Sequence, residues 1–91
     1  MVQRIFKYQL PIEHLSSIEM PMGAQVLTVQ SQNGGGCIWA LVNPEAETVK
    51  RYFETYGTGH PVPEATRTYI GTYQQSGGSL IWHVFELHKI S

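Results

Sequence analysis

The sequence predicts an all-β domain, a small antiparallel sandwich or partly open barrel of about six or seven short strands with at most one short helix. Three observations predict it. Turn-forming clusters of Gly, Pro, Asn and Ser recur at short intervals along all 91 residues. The segments between them alternate apolar and polar residues or are apolar throughout. Asn33-Gly34-Gly35-Gly36 is a strong hairpin signal, because Asn-Gly supplies the positive φ angles that tight two-residue turns require.

The elements follow in order. Arg4 to Leu10 alternates, with Phe6, Tyr8 and Leu10 on one face, and stops at Pro11. Ser17 to Met20 reads as a short edge strand closed by Pro21 and Gly23, and Ala24 to Ser31 as the strand leading into the Asn33 turn. Cys37 to Val42 returns from it and is apolar on both faces, the pattern of a central strand. Asn43-Pro44-Glu45-Ala46-Glu47 has the features of a helix start: a capping Asn, Pro at the first position, and Glu near the positive helix end. Any helix over Pro44 to Lys50 should be short, because Thr48 to Tyr56 is rich in β-branched and aromatic residues and reads as a strand. Tyr56 to Pro63 is a loop by composition. Arg67 to Gln74 and Leu80 to His88 form a second hairpin across Gln75 to Ser79, and the last strand is again largely apolar on both faces.

Composition narrows the function classes. The chain is one domain, residues 1–91, with a thin core. Six Lys and Arg face seven acids, all of them Glu, so neither an Asp-rich cation site nor a basic stripe for general nucleic-acid binding is expected. A single cysteine, Cys37, in apolar company reads as a buried structural thiol; it excludes an internal disulfide and fits a reducing cytosol. No apolar run resembles a signal segment or is long enough to span a membrane as a helix. Two strands apolar on both faces, carrying Trp39 and Trp82, exceed what so short a chain can cover, so a homo-oligomer is expected.

Catalytic and metal constellations are absent from the pattern. A Ser-His-Asp triad is impossible without Asp, and no Ser sits in a nucleophile-elbow sequence. His14, His60, His83 and His88 form no helical metal-ligand pair. No catalytic residue, metal or cofactor is therefore expected, and the chain reads as a binding protein and not an enzyme.

Several blocks together carry a resemblance: Lys7-Tyr8-Gln9-Leu10-Pro11-Ile12, Ile18-Glu19-Met20-Pro21-Met22-Gly23-Ala24, Trp39-Ala40-Leu41-Val42-Asn43-Pro44, Tyr56-Gly57-Thr58-Gly59-His60-Pro61, Tyr69-Ile70-Gly71-Thr72 and His83-Val84-Phe85-Glu86. Over most of its length the chain resembles a family of short bacteriophage proteins classed only as a domain of unknown function. The resemblance implies a phage gene product acting in the cytoplasm of an infected bacterial host, and no activity.

The expected binding site is the Tyr56-Gly57-Thr58-Gly59-His60 loop. Glycines let backbone N–H groups approach an anion, Thr58 adds a hydroxyl, and His60 a donor, although the loop lacks the ending of a phosphate-binding P-loop. A tight turn built on positive φ angles explains the same residues. Arg51 and Arg67 are the expected anion partners, with Tyr52 or Tyr69 as stacking surfaces. With the phage context, this composition suggests a protein that sequesters a small, nucleotide-derived immune signal of the host. The alternative is a protein that docks on a host protein or accompanies the virion, since Tyr, Trp and Arg equally suit a protein interface.

Overall fold

The computed structural model describes residues 2–88. Seven strands follow one another: β1 (Arg4–Leu10), β2 (Leu15–Pro21), β3 (Gln25–Gln32), β4 (Gly35–Val42), β5 (Thr48–Gly57), β6 (Arg67–Gln75) and β7 (Leu80–Leu87). They form two antiparallel sheets, β1-β4-β3 and β2-β5-β7-β6, which face each other without closing into a barrel. The Cα frame is 16 Å across its shortest axis, room for two layers and no third.

The β3–β4 hairpin turns as the sequence requires. Asn33 and Gly34 take φ of 53° and 82°, and Gln32 pairs with Gly35 directly across the turn. β4 is the centre of its sheet and β7 lies inside the other, matching their apolar character; β2 is an edge. The expected helix start at Asn43 is corrected to a turn. Asn43 Oδ1 accepts the Glu45 N–H at 3.1 Å, and its carbonyl accepts the Ala46 N–H at 3.1 Å, but Thr48 enters β5 before a helical turn can propagate. The only helical element among the described residues is a single 3₁₀ turn at Ser76–Gly78.

Alternation decides which side chains enter the core. Leu10, Val29, Ile38, Ala40 and Val42 from one sheet meet Ile18, Met20, Phe53, Tyr73 and Val84 from the other. Two glycines let the layers close together. A Cβ on Gly36 would stand 2.7 Å from the Tyr73 ring, and one on Gly71 would stand 2.9 Å from Val29 Cγ1. The layers therefore close along β3 and β6, whereas β1 and β2 barely meet. Cys37 is buried in β4, as expected of a structural thiol.

Candidate functional site

The Gly57–His60 segment is a tight turn at the end of β5. The His60 N–H donates to the Gly57 carbonyl at 3.1 Å, and Gly59 takes a φ of 87°. The His60 ring folds back over Gly57, where a Cβ would lie 3.0 Å from its Cε1. Thr58 is pinned as well. Its hydroxyl lies 2.7 Å from His83 Nε2, and His83 Nδ1 lies 2.9 Å from the Thr72 hydroxyl, which also meets the Tyr69 hydroxyl. The loop is therefore tied through His83 to β6 and β7, leaving the Thr58 hydroxyl already engaged.

A cleft opens beside this turn because β2 is shorter than β5. Pairing between them ends at Leu15 and Glu54, so Thr55, Tyr56 and Gly57 run on past the end of β2, with the Thr55 N–H donating to the His14 carbonyl at 2.9 Å. The β1–β2 connection, Ile12 to His14, forms one wall. His60, Pro61 and Trp82 of β7 line the cleft as well. The volume is about 440 Å³, within the range of small-molecule sites. A second hollow of about 200 Å³ adjoins it and shares Gly57, His60 and Trp82. Trp82 is oriented by its Nε1–H, which donates to Gln75 Oε1 at 2.7 Å. Thr55 lines the cleft, and its hydroxyl is buried without a hydrogen-bond partner among the described residues.

The two expected anion partners stand on opposite faces of the sheet. Arg51 shares the inward face with Phe53, opposite Ile18. Arg67 lies in one outward row with Tyr52 and Leu87. Both forks are occupied. Arg51 binds Glu86 with Nε and Nη2, the latter at 2.9 Å, and donates from Nη1 to the Ala24 carbonyl at 2.9 Å. Its hydrogen bond to Glu86 raises its pKa, against the opposing effect of burial. Arg67 Nε lies 2.9 Å from Glu54 Oε1, its Nη1 donates to the Pro63 carbonyl, and its guanidinium stands 5.8 Å from the centroids of the Tyr56 and Phe85 rings. The Tyr56 hydroxyl donates to Glu54 Oε2 at 2.7 Å. Burial, followed by the Glu54 carboxylate, raises the Tyr56 pKa.

The structure thus gathers Tyr56, Gly57 and His60 at the cleft, with Thr58 and Gly59 in the turn beside it. Tyr69 is linked to the turn through Thr72 and His83 but lies on the open outer face, its ring 5.5 Å from that of Phe85. Tyr52 and Arg51 lie apart, at a separate hollow of about 340 Å³ that also includes Lys50, Glu86 and His88. β7 separates the strands of Tyr52 and Tyr69, and Tyr73 points into the core. Sequence reasoning missed His14, Ile12 and Trp82 as cleft residues. No local pattern marks His14 and His60 as neighbours; only the pairing of β2 with β5 brings them to one end of the sandwich.

A family model described as a domain of unknown function, DUF7352, matches residues 1–90. The chain belongs to this family. No curated protein and no solved structure gives a significant match. The family carries no stated activity.

Proposed function

We propose that this family member is a non-catalytic binding protein that captures a small ligand in the cleft between His14, His60 and Trp82. The observation that carries this reading is the cleft itself, a concavity of about 440 Å³ at the one loop whose composition pointed to binding. Its walls combine apolar and aromatic surface with a few polar groups, the usual make-up of such sites. The non-catalytic part of the proposal rests on the nucleophiles on offer: the sequence has no Asp for a serine triad, and Cys37 is buried within β4.

The resemblance of several sequence blocks to short phage proteins favours a finer reading: a phage product that sequesters a nucleotide-derived immune signal in the host cytoplasm. Native mass spectrometry of the protein purified from infected cells tests it. A bound small molecule released on denaturation supports capture, and a ligand-free protein that also ignores a nucleotide and nucleoside panel in calorimetry removes it.

A second reading, docking of protein on protein, rests on the outward face of the β1-β4-β3 sheet. Ile5, 61% exposed, pairs with Leu41, and the next row places half-buried Trp39 beside Lys7. Contact between two copies through this face is the form it takes here. Light scattering of wild type and Trp39→Glu at high concentration tests it: a dimer that the substitution dissociates supports it, and a monomeric wild type refutes it.

A further inference from the structure

We infer that the cleft recognises a neutral, planar heterocycle through its ring and leaves any phosphate group in solvent. This deepens the capture reading above and rests on it.

The charges of the lining carry the argument. Among the described residues no Lys or Arg lines the cleft, whereas Glu13 does. A second carboxylate, Glu54, stands behind His14, its Oε2 3.9 Å from His14 Nε2. Arg67 stands over the Tyr56 ring, and each of its three nitrogens already has a partner: Glu54, the Pro63 carbonyl and the Tyr56 hydroxyl. Drawing a phosphate into this concavity would strip its hydration and offer no guanidinium in return. Freeing Arg67 would leave the Glu54 carboxylate buried and unpaired.

What the cleft offers instead suits a ring. Trp82, Ile12 and Pro61 supply apolar surface, and the Trp82 indole is already held in place by Gln75, so stacking on it orders little that is not ordered beforehand. His14 and His60 line the same cleft. A neutral imidazole presents one donor and one acceptor, which matches the mixed hydrogen-bonding edge of a nucleobase-like heterocycle. Glu13 can accept from an exocyclic amine.

Isothermal calorimetry of the full chain tests this, using adenosine, guanosine, cytidine and uridine, their 5′-monophosphates, and inorganic phosphate. At least one nucleoside should bind, with its monophosphate within about threefold of it, and phosphate should neither bind nor compete. His60→Ala, a change at an exposed side chain, should weaken binding with the fold intact. Trp82→Leu should weaken it by roughly tenfold or more. A monophosphate binding more than about tenfold tighter than its nucleoside, or competition by inorganic phosphate, overturns the inference while leaving small-ligand capture standing. Silence from every nucleoside and nucleotide overturns the inference, and only together with a ligand-free protein in native mass spectrometry does it remove the capture reading as well.

Discussion

Arg67 Nε lies 2.9 Å from Glu54 Oε1 on a sheet face that no second sheet covers, yet both side chains are about nine-tenths buried. The loop after β5 and the rings of Tyr56 and Phe85 surround them. Pro63 supplies its carbonyl to Arg67, and Tyr56 supplies its hydroxyl to Glu54. Charge pairing and loop placement are therefore one arrangement. Arg67→Leu leaves the Glu54 carboxylate buried and is expected to cost about 3–5 kcal/mol in urea denaturation. Adding Glu54→Gln should recover much of that loss. A single-variant cost below about 0.5 kcal/mol would show that the pair is solvated and the loop loosely held.

Arg51→Lys tests the other face. Lys cannot reproduce the two-pronged contact with Glu86 together with the bond to Ala24, so stability should fall by about 1.5–3 kcal/mol. Ligand affinity at the cleft should be unchanged. Loss of affinity without loss of stability would return Arg51 to the role of anion partner.

Adjacent glycines in β4 should respond differently to the same change. Gly36→Ala drives a methyl into the Tyr73 ring and is expected to cost about 1–3 kcal/mol. At Gly35 the nearest group is the Gln9 amide, the far end of a flexible side chain, so Gly35→Ala should be well tolerated. Thermal melts of the two variants check the order, and equal melting temperatures would contradict the close layer contact.

Alkaline pH should destabilise the fold. Burial raises the pKa of Tyr8, Tyr56 and Tyr73, so the folded state favours the neutral phenol. That stabilisation is complete below the ordinary tyrosine value, about 10, and is lost as pH rises through the higher folded values. The denaturation midpoint should therefore decline above about pH 10. Tyr73→Phe should decline less steeply, since it removes a buried ionisable hydroxyl that has no hydrogen-bond partner among the described residues. Parallel profiles for the two proteins would contradict this account.

The all-β class, the Asn33-Gly34 hairpin and the apolar strands β4 and β7 are legible in the sequence, because alternation and turn chemistry are local and survive into the fold. The sequence also marked Gly57 to His60 as a constrained turn. It misjudged Asn43 to Glu47, where capping chemistry served a turn once strand pairing claimed Thr48 onward. Its site was only partly legible. Tyr56, Gly57 and His60 do meet at a cleft, but His14, Ile12 and Trp82 join them only through the pairing of β2 with β5 and of β5 with β7. The partners of the two arginines depend on how the strands pair. Arg51 and Arg67 are both prominent as cations in sequence, but strand register sends them to opposite faces of one sheet, and Glu86 and Glu54 lie within hydrogen-bonding distance there. Side-chain direction follows strand parity, but which carboxylate stands across the sheet depends on register between segments far apart in the chain.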